Sequence, residues 1–421
     1  MKVRITPGFL RESSVRIPSS KSLSHRALIT AALADGTSCI TDLVENNDTE
    51  ATKNCLEKLG ARFETNGNVT AVHGIGSPDG YDGSVIDCGE SGSTLRFLIP
   101  LFSLTGKEAV FTGHGKLMER PQNVYRELFE KQGLIFRQEG SFLKVKGALR
   151  PGRYAVQGSV SSQFISGLLF ALPLLREDSL IAVIPPYESR SYVSLTEDAL
   201  ARAGIVTEEN GSEITVRGRQ VYTPFCTQIE GDDSQAAFFA CLAMIGQKKI
   251  HVKGMSRFSR QGDRQILSII RNAGGTVEEK EDGYLFAPHE LKAFTADLAD
   301  CPDLGPVLFA LAARCRGTSV FLNTQRLRIK ESDRIACMEE ELRKMGCLIE
   351  SDDSTVTVTG VTSVRGAVVD SHNDHRIAMA LAVLAESADS PVVITNSEAV
   401  RKSYPAFFED MASLGVKVEM I

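Results

Sequence analysis

A pattern closed by glycine recurs six times along the 421-residue chain and constrains its fold more than any other feature. In each copy a helical pattern ends at a glycine and a short strand pattern follows; the glycines are Gly60, Gly133, Gly204, Gly274, Gly346 and Gly415. The intervals between them are 73, 71, 70, 72 and 69 residues. Glycine just past a helix is the common C-cap, because it adopts the left-handed conformation without strain. Units of this length exceed the common solenoid repeats, so the pattern favours two domains of three units each.

Each unit contains two helices of different character. The segment before each glycine mixes charged and apolar residues, which is typical of a partly exposed helix. Upstream of it lies a helix that is apolar nearly all round, which indicates burial on every side. These buried helices are predicted at residues 26–34, 96–104, 164–175, 236–245, 306–313 and 376–385. The expected class is α/β.

The two ends of the chain indicate how the units are divided between domains. The last unit stops at Ile421 soon after its strand, whereas residues 1–6 form a strand pattern without a unit of their own. We therefore expect the N-terminal strand to complete the C-terminal domain. The predicted domains are residues 14–228, and residues 1–13 together with 229–421.

Composition narrows the class of protein. The net charge of −6 argues against a nucleic-acid binder, which usually carries a basic balance. The nine cysteines include no C-x-x-C pair, so neither a disulfide framework nor a zinc ribbon is indicated, and a reducing compartment is expected. The sequence contains no apolar leader segment and no apolar run long enough to span a membrane, so a membrane protein is not expected. We expect a cytoplasmic monomer that acts on small molecules and has neither nucleic-acid nor membrane partners.

Positive side chains lie at the starts of several buried helices, where the helix dipole disfavours them. The four are Lys21, Arg26, Arg96 and Arg376. Ser and Asp at such positions are usually caps, and capping is the simpler explanation of Asp232 and Ser234. Capping does not explain the cations. A bound phosphate or carboxylate does, because it would also accept hydrogen bonds from the free backbone N–H groups.

Three loops supply further cations, at Arg120, at residues 328–334 and at residues 401–402. A charge run alone usually marks a solvated surface. Together these loops hold more fixed positive charge than one phosphate needs. The sequence therefore predicts two anionic substrates bound side by side.

Other kinds of site are less well supported. His372 and His375 have a spacing that permits a metal site, but Arg376 beside them would repel a cation. Neither of the glycine-rich nucleotide-binding motifs is present, and the G-x-S-x-G motif of esterases is absent.

Eight motifs, in order and spanning nearly the whole chain, resemble those of the 5-enolpyruvylshikimate-3-phosphate (EPSP) synthase family. They are Ser20-Lys21-Ser22-x-x-x-Arg26, Ser91-Gly92-Ser93, Glu119-Arg120-Pro121, Ser161-Ser162-Gln163-Phe164, Pro302-Asp303, Lys330-Glu331-Ser-Asp333-Arg334, Asp374-His375-Arg376 and Lys402-x-x-Pro405. The resemblance implies two domains closing over a cleft. Each would be a pseudo-threefold arrangement of βαβαββ units with buried parallel helices, an inside-out α/β barrel.

The resemblance also implies a reaction. The enolpyruvyl group of phosphoenolpyruvate would pass to the 5-hydroxyl of shikimate 3-phosphate with release of phosphate, without a metal or organic cofactor. The implied shikimate 3-phosphate contacts are Lys21, Ser22, Arg26, Ser161, Ser162, Gln163, Ser189, Tyr192, Asp303 and Lys330. The implied phosphoenolpyruvate contacts are Lys21, Gly92, Arg120, Gln163, Arg334, Arg376 and Lys402.

The addition–elimination chemistry needs a base near the hydroxyl and an acid near C3 of the enol. Asp303 is our candidate for the base. Glu331 is the candidate for proton exchange at C3, and Lys21 would assist the leaving phosphate. The chain departs from the family at Arg326, where many members carry Asn, and at Ser93 and Phe97, where many carry Thr and Pro. Gly92 leaves room for glyphosate, the inhibitor of the family.

Two rival functions remain open at this point. The sister enzyme that transfers enolpyruvyl to UDP-N-acetylglucosamine shares the fold but usually has a loop cysteine near Arg120, and residues 113–121 contain none. A scaffold that merely binds polyanions would gain nothing from Asp303 and Glu331 among its cations. Both comparisons favour an enzyme that acts on shikimate phosphate. A domain of a pentafunctional chain is a further alternative, but the chain begins and ends at natural repeat limits, so we expect a standalone enzyme.

Overall fold

Twelve α-helices alternate between buried and partly exposed along the chain. The computed structural model describes all residues, 1–421. The helices are α1 (Lys21–Leu33), α2 (Asn47–Glu57), α3 (Gly92–Ser103), α4 (Asn123–Lys131), α5 (Ser162–Ala171), α6 (Arg190–Arg202), α7 (Asp233–Ile245), α8 (Ile266–Asn272), α9 (Gly305–Ala312), α10 (Arg334–Lys344), α11 (His375–Ala385) and α12 (Phe407–Ser413). The odd-numbered helices are the apolar ones, and all 13 residues of α7 are buried. None of the helices combines the length and apolar character needed to cross a lipid bilayer.

The predicted bounds of the buried helices differ from the observed ones by up to five residues, and two of the larger differences have identifiable local reasons. α1 begins at Lys21 rather than at residue 26, because the Ser20 side chain caps it by accepting a hydrogen bond from the Leu23 N–H. Lys21 therefore lies in the first turn of the helix. α5 ends at Ala171 rather than at residue 175, because residues 172–174 tighten into a 3₁₀ turn that contains Pro173.

The 24 strands form six four-stranded sheets. They are β1 (Lys2–Thr6), β2 (Ser13–Arg16), β3 (Thr37–Thr41), β4 (Arg62–Asn66), β5 (Val69–His73), β6 (Ile86–Asp87), β7 (Glu108–Thr112), β8 (Ile135–Glu139), β9 (Phe142–Lys146), β10 (Arg153–Gln157), β11 (Ser179–Ile184), β12 (Thr207–Asn210), β13 (Glu213–Val216), β14 (Cys226–Gln228), β15 (Ile250–Lys253), β16 (Thr276–Lys280), β17 (Gly283–Ala287), β18 (Thr295–Asp297), β19 (Thr318–Leu322), β20 (Leu348–Ser351), β21 (Val356–Thr359), β22 (Val368–Asp370), β23 (Val392–Thr395) and β24 (Lys417–Met420).

The six sheets share one topology. In order across each sheet, the strands are β14-β3-β5-β4, β6-β7-β9-β8, β10-β11-β13-β12, β2-β15-β17-β16, β18-β19-β21-β20 and β22-β23-β1-β24. The first pair of each sheet is parallel and the other two pairs are antiparallel. The α/β class and the sixfold repeat predicted from the sequence are thus both present.

The chain divides into two compact units, each with its own apolar core. Unit 1 comprises Met1–Pro18 and Glu230–Ile421, and unit 2 comprises Ser19–Ile229. β1 pairs with β23 and β24 in the last sheet of unit 1. The predicted boundary after residue 13 is wrong, because β2 pairs in parallel with β15 and so keeps residues 14–18 in unit 1. The second boundary lies one residue later than predicted.

Candidate active site

In unit 2, the start of α1 is tied to two other helices through its cations. The Lys21 ammonium lies 2.9 Å from a carboxylate oxygen of Asp48, in the first turn of α2. Arg26 donates from Nε to the Thr196 hydroxyl at 2.8 Å and from Nη2 to the Tyr192 carbonyl at 2.7 Å, both on α6. Burial lowers the pKa of Arg26 to about 10. Arg26 therefore holds α1 and α6 together, while Lys21 is the more exposed cation.

A buried histidine, His25, lies between these two cations along α1. His25 Nδ1 lies 2.7 Å from the Thr52 hydroxyl, which in turn lies 2.7 Å from the Thr94 hydroxyl on α3. Burial lowers the pKa of His25 well below its usual value, and the charges of Lys21 and Arg26 lower it further. The ring thus connects α1 to α2 and α3 without adding a third positive charge.

Gly92, Arg120 and Gln163 converge at the start of α3. Gly92 is the first residue of the helix, and a Cβ built there would lie 2.7 Å from Arg120 Nη1 and 3.6 Å from Gln163 Oε1. The Gln163 amide accepts from Arg96 Nη1 at 2.9 Å and donates to the Ser93 hydroxyl at 3.0 Å. Three residues that the family resemblance assigns to phosphoenolpyruvate are therefore neighbours within one unit.

Hydroxyl groups mark the starts of α5 and α6. Ser161 caps α5 by accepting from the Gln163 N–H at 3.3 Å, and Ser162 follows as its first residue. Ser189 precedes α6 with a left-handed backbone, φ +53°. Tyr192 lies in the first turn of α6, next to Arg26. These polar groups are predicted shikimate 3-phosphate contacts.

In unit 1, one carboxylate is surrounded by three cations. Asp303 Oδ1 lies 3.0 Å from Arg334 Nη1 and 3.4 Å from the Lys330 ammonium. Its other oxygen lies 3.1 Å from Arg376 Nη2. The Asp303 side chain is 22% exposed, whereas that of Arg334 is 1% exposed. The carboxylate is accordingly held by two buried arginines yet remains partly exposed, so that a substrate proton can reach it.

Arg334 organises the acids of this cluster. It also contacts Glu331 at 2.7 Å and Asp374 at 2.8 Å. Burial alone would lower the pKa of Arg334, but Asp374, Glu331 and Asp303 together raise it above its usual range. Arg334 therefore stays charged, and its partner Glu331 remains 21% exposed at the cluster's surface.

Lys330 is the most easily neutralised cation of the cluster. Burial lowers its pKa, and the positive charges of Arg326 and Arg334 act in the same direction, against the attraction of Asp303. Arg326, which departs from the family pattern, is itself buried and so influences the site through its charge. The Lys402 ammonium, another predicted phosphoenolpyruvate contact, donates to the Asn373 carbonyl at 2.6 Å.

Capping explains Asp232 but not Ser234. Asp232 accepts from the backbone N–H groups of Ser234 and Gln235 at 3.0 and 3.3 Å. The sequence predicts a cap at Ser234 as well, but its hydroxyl instead donates to Asp232 and accepts from Arg376 Nη2 at 2.9 Å. Ser234 thereby supports a predicted substrate-binding arginine.

Sequence reasoning missed Asp48 and Asp374 as partners of the site cations. Asp374 caps α11 through the Arg376 N–H at 2.9 Å while its other oxygen binds Arg334. Asp48 lies 27 positions from Lys21. Both acids sit at helix starts, where an acid needs no further explanation, so the sequence contained no separate signal for their second role.

The residues that could hold a metal ion are His372, Glu340 and Glu341, not His372 and His375 as the sequence spacing suggested. His372 lies 2.8 Å from Glu341, which with Glu340 could supply carboxylate ligands. The Lys344 ammonium, however, lies 2.8 Å from both Glu340 and Glu341. A lysine already neutralises these carboxylates, so the cluster is an ion-pair network.

Comparisons with known proteins agree with one another. A family model described as EPSP synthase (3-phosphoshikimate 1-carboxyvinyltransferase) matches residues 8–411. A 3-phosphoshikimate 1-carboxyvinyltransferase of Clostridium kluyveri is 43% identical over 99% of this chain and 98% of its own length. The enzyme of that name from Clostridium novyi is 39% identical, over 98% of this chain and 97% of its own. A solved EPSP synthase structure from Acinetobacter baumannii aligns with a TM-score of 0.82 at 25% identity, covering 99% of each chain.

Proposed function

The chain belongs to the EPSP synthase family, and on that premise we propose how its own residues carry out the reaction of the family. The enzyme transfers the enolpyruvyl group of phosphoenolpyruvate to the 5-hydroxyl of shikimate 3-phosphate and releases phosphate. This is a step of the shikimate pathway to aromatic amino acids. We propose that it works in the cytoplasm as a monomer.

The observation that carries the mechanism is the partly exposed carboxylate of Asp303 among three cations. We assign Asp303 as the base that takes the proton of the 5-hydroxyl while the oxygen attacks C2 of phosphoenolpyruvate. The neighbouring cations keep the carboxylate in place before the reaction, and Lys330 and Arg376 stabilise negative charge as it shifts. Geometry supports this role because the acid remains partly exposed while its two arginine partners are buried.

Glu331 is assigned to proton exchange at C3. It would deliver a proton to C3 during addition and remove one during elimination, when the C2–O bond to phosphate breaks. Its contact with Arg334 supports the assignment, since both proposed acid–base groups share that buried guanidinium. Lys21 would neutralise the departing phosphate, and Asp48 positions its ammonium.

Two residue sets are proposed for substrate binding. The phosphoenolpyruvate set is Lys21, Gly92, Arg120, Gln163, Arg334, Arg376 and Lys402. The shikimate 3-phosphate set is Lys21, Ser22, Arg26, Ser161, Ser162, Gln163, Ser189, Tyr192, Asp303 and Lys330. In unit 2 the first set is supported by the convergence on Gly92, and the second by the hydroxyl-rich starts of α5 and α6.

The substrate assignment is tested by phosphate release from phosphoenolpyruvate with either co-substrate. We expect release with shikimate 3-phosphate and none with UDP-N-acetylglucosamine. Release only with the nucleotide sugar would overturn the substrate while keeping the reaction class. No release with either would favour a polyanion-binding scaffold.

The base is tested by Asp303→Asn, which keeps the shape of the side chain. Loss of a positioned general base typically lowers kcat about 100- to 10,000-fold. Asp297→Asn is the matched control, since Asp297 lies on β18 in the same segment and accepts hydrogen bonds from the Ala299 N–H and from Asn323. A kcat within twofold of wild type for Asp303→Asn would refute the assignment.

A further inference from the structure

Two cysteines lie side by side on adjacent strands at the edge of one sheet in unit 2. Cys39 on β3 and Cys226 on β14 are direct partners in the parallel pairing of these strands. β14 is the edge strand of its sheet and spans only three residues. Register partners on neighbouring strands project to the same face of a sheet. The two thiols therefore share a face although 187 positions separate them in the sequence.

That face is open to solvent. Cys226 is exposed and Cys39 is half-buried, whereas the neighbours of Cys39 along β3, Ser38 and Ile40, are fully buried. Six of the nine cysteines are buried and Cys337 is half-buried, so Cys226 is the one exposed cysteine of the chain. A solute that oxidises thiols can therefore reach Cys226 without any unfolding of the sheet.

The spacing suits a disulfide bond. Adjacent strands lie about 4.8 Å apart, and disulfides join residues whose Cα atoms are about 4.4–6.8 Å apart. Interaction with the neighbouring Cys226 thiol raises the pKa of Cys39, as expected of two thiols that face the same side of the sheet. β14 is a short edge strand that pairs with β3 alone, so its backbone can shift slightly to accommodate the disulfide.

We propose that Cys39 and Cys226 form a reversible disulfide by exchange with a low-molecular-weight disulfide. The thiolate of Cys226, the more exposed residue, attacks one sulfur of the oxidant and releases the first small thiol. Cys39 then attacks the sulfur of Cys226 in this mixed disulfide and releases the second. The two protein thiols lose two electrons and two protons, and the oxidant is reduced to two thiols.

The bond would cross-link almost the whole of unit 2. It closes a loop from residue 39 to residue 226 in a unit that spans Ser19–Ile229. It also fixes β14, the last strand before the chain passes into unit 1 at Glu230, to the first repeat. Closing a long loop restricts the unfolded chain, so the oxidised unit is the more stable one.

Peptide mapping of the full chain after treatment with oxidised glutathione tests the proposal. We expect a linked pair of peptides containing Cys39 and Cys226, loss of two titratable thiols, reversal by dithiothreitol, and a rise in Tm of about 5–15 °C. Cys55 and Cys88 serve as an internal control. The Cys55 thiol also contributes to the raised pKa of Cys88, so the two are neighbours, but both are buried and should stay reduced.

Single-serine variants separate the two steps. Cys39→Ser should stop at one glutathione on Cys226, and Cys226→Ser should prevent the bridge. Both should retain phosphate release, which also shows that they fold. Glutathione on both cysteines without a bridge, or reduced thiols after saturating treatment, would overturn the proposal. A bridged protein with unchanged Tm would overturn its stabilising effect.

Discussion

Replacing Gly92 with alanine should weaken phosphoenolpyruvate binding by displacing one guanidinium. Gly92 is the first residue of α3 and does not have a positive φ, so alanine is acceptable to the backbone there. The new Cβ would lie 2.7 Å from Arg120 Nη1. Because atoms in contact normally lie about 3.5 Å apart or more, the guanidinium must move by roughly 0.8 Å.

The size of the effect follows from the hydrogen bond that the displaced Arg120 guanidinium would donate to phosphoenolpyruvate. A hydrogen bond to a charged group contributes about 1.5–3 kcal/mol. At about 1.4 kcal/mol for each factor of ten, its loss corresponds to a rise in the KM for phosphoenolpyruvate of about 10- to 150-fold. Steady-state phosphate release at saturating shikimate 3-phosphate measures this value. The KM for shikimate 3-phosphate should stay within about twofold and acts as an internal control.

A double-mutant cycle shows whether the effect passes through Arg120. Arg120→Ala alone should raise the same KM, and adding Gly92→Ala to it should change little more, because the displaced group is already gone. Fully additive effects of the two substitutions on log KM would refute the reasoning. An unchanged KM in Gly92→Ala would refute it as well.

Two further substitutions in unit 1 test a residue that positions a substrate-binding arginine and a residue that stabilises the fold. Ser234→Ala removes the hydroxyl that accepts from Arg376 and should raise the KM for phosphoenolpyruvate about tenfold. Capping of the helix by Asp232 should be retained. An unchanged KM would show that this hydroxyl does not position the arginine. Hydrogen bonds to Cys337 and to the buried Glu341 raise the pKa of His372 to about 10. A raised pKa stabilises the fold below the unfolded value of about 6.5 and loses that effect as the pH approaches 10. His372→Gln should therefore cost about 1.5–3 kcal/mol near pH 6 in denaturant unfolding, and a deficit independent of pH would contradict this account.

Much of the architecture could be predicted from the sequence, because it depends on local interactions. A sequence window of 10 to 20 residues is enough to recognise a glycine that ends a helix or a helix that is apolar on every face. The repeat count and the α/β class followed from these signals. The motifs at helix starts likewise indicated anionic substrates, since a cation there conflicts with the helix dipole.

Partners distant in sequence could not be predicted in the same way. Residues 14–18 belong to unit 1 because β2 pairs with β15, more than 230 positions along the chain. Ser234 resembles a cap, and only the packing of α7 against α11 brings Arg376 to its hydroxyl. The pairing of Cys39 with Cys226 is of the same kind.

The sequence by itself thus determined how many units the chain contains, which helices are buried, and that it handles two anions. The tertiary structure alone decided which distant side chains meet: Lys21 with Asp48, and Arg334 with Asp303 and Asp374. Helix formation and capping are governed by neighbours along the chain. An ion pair forms only where folding brings two distant segments within about 4 Å.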